Sequence, residues 1–292
     1  MLMKRVAALL LSALLFAFPA LAQDAPLLVD RVNSPEEYAD FAFDKDAELL
    51  EIWFPQILNC DAMLLQCGGE TMLVDCASAK QASRVTALLD ALGVREIGAV
   101  VNTHPHYDHL QGLELIASAV RVDELRVCFN EAYNQHMITA METAKAHDIP
   151  VTHYQDGDRF TLGGAVIDVW LKGDAAWTLN EQSAQLRVQF GERTALLTAD
   201  MMLKTQQRLL ETVPAELLDI DILKYPHHGL NKMSDAFFAA VSPVFAVITN
   251  NGTKGSPGRQ YLALKHVPCA VTVPGFVHLV TDGTTWLCER VE

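Results

Sequence analysis

The segment Thr103-His104-Pro105-His106-Tyr107-Asp108-His109 places three imidazoles and one carboxylate within six residues, directly after an apolar run. That run, residues 95–101, is typical of a short buried strand, and Pro105 prevents a helix through the motif. We therefore expect the polar side chains on a loop at a strand end. Imidazole and carboxylate suit zinc, and also iron or manganese, so the motif predicts a metal-dependent hydrolase without choosing the metal.

Alternation of side chains along extended backbone separates the four candidate ligands. Residues two apart point the same way, so His104, His106 and Asp108 can share one side. His109 begins a predicted helical stretch, residues 110–120, and turns away from the others. One loop can thus offer His104 and His106 to one cation while Asp108 and His109 face a second.

The first 22 residues have the three parts of a secretory signal peptide. A basic start with Lys4 and Arg5 precedes an apolar run, residues 6–18, and an Ala20-Leu21-Ala22 ending. The apolar run is shorter than the roughly 20 residues that a membrane-spanning helix needs. We expect residues 1–22 to be removed, and the mature protein to be exported to the periplasm or the extracellular space without a membrane span.

The chain is strongly acidic. Its formal net charge is -14, and loss of Lys4 and Arg5 with the signal peptide takes it to -16. An acidic protein repels phosphate backbones, which disfavours wide contact with nucleic acid. We expect a small-molecule or phosphoester substrate instead, and the sequence leaves the oligomeric state open.

All six cysteines lie in the part of the chain expected to be exported, where disulfides are permitted. Sequence cannot choose among the fifteen pairings that six cysteines allow. Small buried hydrophobes are an equally good interpretation for most of them. No C-x-x-C pair occurs, which argues against a zinc cage built from cysteines; the residues are Cys60, Cys67, Cys76, Cys128, Cys269 and Cys288.

Strand-like runs fall into two blocks, with helical segments between them. Glycine turns at Gly68-Gly69 and Gly191-Glu192 each separate two such runs. Longer helices are predicted at residues 131–147 and 202–210. Two sheets covered by helices on their outer faces, a four-layer αββα sandwich in the α/β class, would account for this order. We expect a single domain over residues 23–292.

Further polar residues fall at predicted strand ends, where layered α/β folds tend to build sites. Asp75 and Asp200 each end an apolar run, and His227-His228 precedes Gly229. Each position alone is weak evidence, because a carboxylate at a strand end often caps the next helix. Together with the histidine loop, they make four strand ends with polar residues in one chain, and such a number favours a functional site.

These motifs resemble the metallo-β-lactamase superfamily, which carries H-x-H-x-D-H at this place. The chain looks closest to the branch that contains the hydrolase-like domain of the competence protein ComEC and the phosphorylcholine esterases. The resemblance runs from about Glu48 to the C-terminus. Its motifs are Cys60-Asp61-Ala62, Val74-Asp75, His104 to His109, Asn180-Glu181-Gln182-Ser183, Ala199-Asp200 and His227-His228-Gly229.

The resemblance implies two divalent metal ions, most readily zinc. His104 and His106 would hold the first ion, and Asp108 and His109 the second. Asp200 would bridge the two ions. The metal ligands implied are His104, His106, Asp108, His109, Asp200 and His228.

The His227-His228 pair is ambiguous, because either ring could complete the second site; His228 is the preferred ligand. Asp75 would orient a ligand imidazole through its other N–H. Most of the superfamily has a further histidine on the strand around Asn180, and this chain has none there. Asn180 is therefore expected beside the first metal, which would be one histidine short.

Other departures affect the surroundings of the metals. Ala199 replaces the usual glycine before the bridging Asp200, Cys76 follows the acidic strand end, and Leu230 follows the His-His-Gly turn in place of serine. Each puts substrate contacts or metal tuning in doubt without removing a ligand.

The mechanism implied is hydrolysis by a metal-activated water, oriented by Asp108. His227, or Lys224 or Tyr225, could contact a phosphate or protonate the leaving group, although a solvated strand end is the plainer interpretation of the last two. The branch favours a phosphodiester or a related ester. Two alternatives stay open: lactone or β-lactam hydrolysis on the same fold, and a non-catalytic exported binding protein with a degenerate metal site.

Overall fold

The computed structural model describes residues 31–32, 47–251 and 256–291, and at 31–32 and 290–291 the backbone alone. The predicted signal peptide, residues 1–22, lies outside the described residues. The strands are β1 (Arg31–Val32), β2 (Leu50–Phe54), β3 (Met63–Cys67), β4 (Glu70–Val74), β5 (Glu96–Ile97), β6 (Ala99–Val101), β7 (Arg121–Val122), β8 (Leu125–Val127), β9 (Val151–His153), β10 (Arg159–Leu162), β11 (Ala165–Trp170), β12 (Gln185–Phe190), β13 (Arg193–Leu197), β14 (Ile222–Lys224), β15 (Phe245–Ile248), β16 (Cys269–Val271), β17 (Phe276–Thr281) and β18 (Trp286–Val291).

Helices fill most of the connections between these strands. Two short 3₁₀ turns, Asn180–Gln182 and Pro226–Gly229, lie near the candidate site. The helices are α1 (Ala82–Ala91), α2 (Tyr107–Leu110), α3 (Leu113–Ala119), α4 (Gln135–Ala146), α5 (Leu203–Thr212), α6 (Ala215–Leu218), α7 (Asp235–Val241) and α8 (Pro257–Leu264).

Two large sheets form the centre of the described structure. The first has the strand order β1-β18-β17-β2-β3-β4-β6-β8-β9, and the second runs from β10 to β16 in chain order. Strands β5 and β7 form a separate short pair. Hairpins at Gly68-Gly69 and Gly191-Glu192 join neighbouring strands, as the sequence predicts.

Side-chain alternation in the strands divides the interior into three apolar layers. In β2, Leu50 and Ile52 face the space between the sheets, whereas Trp53 faces outward toward the helices α1, α3 and α4. A third apolar layer, including Leu209 and Phe237, lies between the second sheet and the helices α5, α7 and α8. The order helix, sheet, sheet, helix confirms the predicted four-layer αββα sandwich.

Three predicted elements differ in detail. The helix predicted over residues 110–120 is two helices, α2 and α3, separated at Gln111 and Gly112, where the Gly112 N–H donates to the Ala77 carbonyl at 3.1 Å. The strand predicted over 95–101 is interrupted at Gly98. The helix predicted over 131–147 begins at Gln135, where the Asn134 side chain accepts a hydrogen bond from the Met137 N–H at 2.9 Å.

The C-terminal ends of four strands meet at one edge of the sandwich. Strands β4 and β6 are parallel neighbours in the first sheet, and β13 and β14 are parallel neighbours in the second. Parallel neighbours end at the same edge of a sheet, so the loops that follow these four strands gather there. Among the described residues, none of the helices has the length and apolar character that a bilayer crossing requires.

Candidate metal centre

The first donor cluster is formed by His104, His106 and Asp200. His104 Nε2 lies 3.0 Å from His106 Nδ1 and 3.8 Å from Asp200 Oδ2. One nitrogen or oxygen from each residue lies within 4.8 Å of the others. The loop after β6 supplies both histidines, and the turn after β13 supplies the carboxylate.

The second donor cluster is formed by Asp108, His109, His228 and the same Asp200. Asp200 Oδ1 lies 3.3 Å from His109 Nε2 and 3.4 Å from His228 Nε2, and Asp108 Oδ2 lies 3.5 Å from His228 Nε2. Asp200 therefore presents one oxygen to each cluster. A carboxylate shared in this way can bridge two cations.

Three donor atoms of the second cluster indicate what it is built to hold. Among the described residues, His109 Nε2, His228 Nε2 and Asp200 Oδ1 are buried without a hydrogen-bond partner. Buried polar atoms are normally paired, since an unpaired one costs roughly 1–3 kcal/mol. A cation would satisfy all three atoms at once. The two clusters fit a dinuclear metal site, and their nitrogen and oxygen donors suit zinc, iron or manganese alike.

Asp75 holds His109 from behind. Its Oδ2 lies 2.7 Å from His109 Nδ1, which leaves His109 Nε2 facing the cluster. The Asp75 carboxylate itself accepts hydrogen bonds from the Thr103 N–H at 2.8 Å, the Thr103 hydroxyl at 2.7 Å and the Asn102 amide at 3.0 Å. Asp75 thus lies where an orienting residue is expected, in contact with His109 and outside the two donor clusters.

Asp61 makes the corresponding contact to His228. Asp61 Oδ1 lies 3.1 Å from His228 Nδ1, and Lys224 Nζ contacts the other carboxylate oxygen. The motif Cys60-Asp61-Ala62 contains Asp61, but no role is predicted for it from the sequence. The signal that could have found it is a carboxylate just ahead of the apolar strand β3. The solvated strand end considered for Lys224 and Tyr225 is wrong, because both side chains are fully buried, Lys224 against Asp61.

The two histidines of the 3₁₀ turn Pro226–Gly229 point in different directions. Both have left-handed backbone angles, with φ of 47° at His227 and 51° at His228, and their rings cross at 61°. Such angles are strained for residues other than glycine. Hydrogen bonds from the Asn250 amide to the His228 carbonyl and from the Ser256 hydroxyl to the Gly229 carbonyl hold the turn.

His227 lies at the side of the clusters. Its Nε2 is 3.7 Å from Asp200 Oδ2, its Nδ1 is 2.5 Å from Asn231 Oδ1, and its side chain is 23 % exposed. His228, by contrast, is buried and belongs to the second cluster. The geometry therefore brings His228, and not His227, among the donors.

Asn180 lies in a 3₁₀ turn before β12 and not on a strand, because the chain extends only from Gln185. Its amide nitrogen lies 3.4 Å from His227 Nε2. His153, the nearest histidine before Asn180 in the chain, does not supply the missing ligand, since it ends the exposed edge strand β9. Within the described residues, the first cluster has three residues and the second has four.

Charges within the clusters shift one another's pKa values. Burial lowers the pKa of His104 well below its ordinary range. Burial also acts to lower the pKa of His109, but the carboxylates of Asp200 and Asp75 outweigh it and hold that pKa well above the ordinary value. Burial acts to raise the pKa of Asp200, yet His228 and His109 hold it well below its usual range. A cation bound by these atoms would displace protons from the imidazoles.

The nearby cysteines are not metal donors in this arrangement. Cys60 and Cys76 are buried free thiols, and neither belongs to the two donor clusters. Burial raises the pKa of the Cys76 thiol well above its ordinary value. The part of Cys76 that contributes to the site is its backbone N–H, which donates to the His109 carbonyl at 2.7 Å.

Comparison with known proteins gives one family and a set of similar folds. A family model described as the metallo-beta-lactamase superfamily matches residues 56–240. The metallo-beta-lactamase fold protein YhfI from Bacillus subtilis is 14% identical, with a TM-score of 0.52 over 80% of this chain and 99% of YhfI. CmlA, a diiron beta-hydroxylase from Streptomyces venezuelae, is 14% identical, with a TM-score of 0.51 over 80% of this chain and 54% of CmlA.

No curated protein matches the chain in sequence. At 14% identity, the likeness to the two solved structures establishes the fold and leaves the reaction open.

Proposed function

The chain belongs to the metallo-beta-lactamase superfamily, and from this premise we propose that it is an exported metal-dependent hydrolase that acts on a phosphodiester or a related ester. The observation that carries the proposal is the pair of donor clusters sharing Asp200, with buried imidazole and carboxylate atoms that have no partner among the described residues. His104 and His106 would hold one cation with Asp200. Asp108, His109 and His228 would hold the other cation, together with the same Asp200 carboxylate. The proposed metal ligands are therefore His104, His106, Asp108, His109, Asp200 and His228.

Divalent cations held by these residues would supply Lewis-acid chemistry and lower the pKa of a bound water molecule. Asp108 is the most exposed carboxylate of the clusters, with 13% of its side chain accessible, whereas Asp200 has 1%. We assign Asp108 the role of orienting the attacking water by accepting a hydrogen bond from it. His227 stands at the accessible side, with Asn180 beside its Nε2, where it can donate a proton to the leaving group.

The substrate class follows from resemblance and charge. The ComEC-like and phosphorylcholine esterase branch favours a phosphoester, and a dinuclear centre suits the charge of one. A chain of net charge -14 repels a polyanion, so we propose a small phosphodiester and not polymeric nucleic acid. The basic, apolar and Ala20-Leu21-Ala22 parts of the N-terminal sequence support export.

A second candidate function rests on Asn180. With an asparagine where most of the superfamily has a histidine, the first cluster has three donors and would hold its cation less tightly. An exported binding protein with a partly degenerate metal site accounts for the same sequence without turnover.

Metal content and turnover, measured together, separate the two functions. The mature protein, residues 23–292, would be loaded with zinc, manganese or iron and assayed with bis(4-nitrophenyl) phosphate, a lactone and a chromogenic β-lactam; iron is included because CmlA is a diiron protein. We expect about two equivalents of metal and phosphodiester turnover. His106→Ala should lose both one equivalent and turnover, whereas His153→Ala, on the exposed strand β9, should keep both.

Turnover of the lactone or the β-lactam, but not of the phosphodiester, would replace the proposed substrate class. Two equivalents of metal with none of the three substrates hydrolysed would favour the binding protein. A folded protein that takes up no metal would refute both functions.

A further inference from the structure

A buried ion pair lies behind His228, on the side of the ring away from the donor cluster. Asp61 and Lys224 each have 0% exposure, and Lys224 Nζ contacts Asp61 Oδ2. The pair joins the first sheet to the second, since Asp61 precedes β3 and Lys224 ends β14. Removing two charges from water is costly, and a buried ion pair is therefore weak evidence for stability by itself. Its position at the metal centre suggests another role.

The second oxygen of Asp61 faces the His228 ring. Asp61 Oδ1 lies 3.1 Å from His228 Nδ1 and accepts a hydrogen bond from the Thr249 hydroxyl at 2.8 Å. An imidazole that donates its Nδ1–H to a carboxylate keeps the lone pair on Nε2. His228 Nε2 is the atom that faces Asp108 and Asp200. The contact to Asp61 therefore selects the tautomer that can bind a cation.

Lys224 also contacts the segment that carries the shared carboxylate. Its Nζ donates a hydrogen bond to the Ala199 carbonyl at 3.0 Å, and its own carbonyl accepts one from the Thr198 hydroxyl at 2.6 Å. Ala199 has a left-handed φ of 47°, directly before Asp200. One ammonium group thus fixes both the carboxylate behind His228 and the strained turn that presents Asp200.

We propose that Asp61 and Lys224 are positioning residues for the second metal: Asp61 fixes the tautomer and direction of His228, and Lys224 holds the Asp61 carboxylate and the turn before Asp200. The inference rests on the proposed function, because it assigns these residues to the same metal centre. Neither residue touches the substrate or the cation. Lys224 accordingly does not contact a phosphate or protonate a leaving group.

His109 provides the internal comparison. Its orienting carboxylate, Asp75, is held by neutral donors from Asn102 and Thr103, and not by a lysine. The positive charge of Lys224 acts on the His228 side of the second cluster. Loss of Lys224 should therefore weaken metal binding most at the second cluster, and at the first cluster only through the shared Asp200.

Metal titration tests this assignment. Metal-free mature protein would be titrated with zinc against a chromophoric chelator, in the wild type, Asp61→Ala and Lys224→Met. We expect two equivalents in the wild type. In Asp61→Ala one equivalent should keep its affinity and the second should weaken about 10- to 100-fold. In Lys224→Met the second should weaken by the same factor and the first by less, because Asp200 is shared. Each variant would also be combined with His106→Ala, which disrupts the first cluster. The one equivalent that these double variants still bind should then have the weakened affinity.

Arg187→Met is the matched control, because it removes another buried cation from the second sheet, away from the metal centre. It should bind both equivalents as the wild type does. Asp61→Asn keeps an oxygen that can accept from His228 Nδ1–H, and it should bind the second metal more tightly than Asp61→Ala. If Lys224→Met does not fold, the affinities of Asp61→Asn and Asp61→Ala for the second metal test the inference, and equal affinities would contradict it.

Two results would overturn the inference: wild-type affinity for both equivalents in Lys224→Met and Asp61→Ala, or equal weakening of both equivalents in Asp61→Ala. A wild-type protein that takes up no metal would instead refute the proposed function. The two failures are distinguishable, because the first needs a wild type that binds two equivalents.

Discussion

Replacing Gly112 with alanine tests whether the close approach between the histidine loop and the strand end is required. Gly112 has φ of -74° and ψ of -11°, angles that alanine adopts freely. At such a position glycine to alanine ordinarily stabilises a protein by about 0.4–1 kcal/mol, because the unfolded chain loses freedom. Here a Cβ would lie 1.9 Å from the Cys76 carbonyl oxygen, where at least 3.0 Å is needed.

The missing 1.1 Å or so has to come from separating two backbone segments. These segments are joined by the bonds from Cys76 N to the His109 carbonyl at 2.7 Å and from Gly112 N to the Ala77 carbonyl at 3.1 Å. A separation of about 1 Å would also carry the 2.7 Å contact between Asp75 Oδ2 and His109 Nδ1 beyond hydrogen-bond length. Overpacking of this kind costs roughly 1–3 kcal/mol, which reverses the sign of the usual effect.

Urea unfolding of Gly112→Ala, with and without zinc, measures that cost. We expect a free energy of unfolding lower by about 1–3 kcal/mol and weaker binding of metal by the second cluster. Gly98→Ala is the control, since its Cβ would come no closer than 3.2 Å to the Thr71 carbonyl oxygen; its effect should stay within about 0.5 kcal/mol. If Gly112→Ala is as stable as the wild type or more stable, the close contact does not constrain the loop and the reasoning is wrong.

Three further outcomes are expected. Chelation with EDTA should lower the free energy of unfolding by about 2.7 kcal/mol relative to protein in zinc at 100 times its Kd, and an unchanged Tm would contradict the metal centre. Asp75→Ala should weaken zinc binding about 10- to 100-fold in a competition titration, and equal affinity would remove its orienting role. Leu279→Ala, fully buried between the sheets, should cost about 2–5 kcal/mol in urea unfolding; loss of metal from the folded variant would show that core and site are not separable.

Much of the fold could be predicted because its signals are local. Both predicted glycine hairpins are present, and α5 covers Leu203–Thr212, where a helix is predicted at residues 202–210. The break between α2 and α3 could not be predicted. At this break the Gly112 N–H donates to the Ala77 carbonyl, a partner from a distant part of the chain that no local pattern indicates.

The metal centre divides in the same way. Sequence pattern identified the loop from His104 to His109 and the strand-end residues Asp75 and Asp200, because proline, apolar runs and strand ends are visible without knowledge of neighbours. The structure brings these residues together in the clusters described above. Their roles in binding metal remain predictions for titration.

Local sequence pattern predicts the histidine and carboxylate residues of the candidate site and its two-sheet architecture, and the family resemblance adds the missing histidine at Asn180. The tertiary structure places His228, and not His227, in the second donor cluster, because the direction of each ring depends on the left-handed backbone of their turn. It also places Lys224 against Asp61, which lies 163 residues away in the chain. Contacts of that range depend on how two sheets pack, and no local pattern records them.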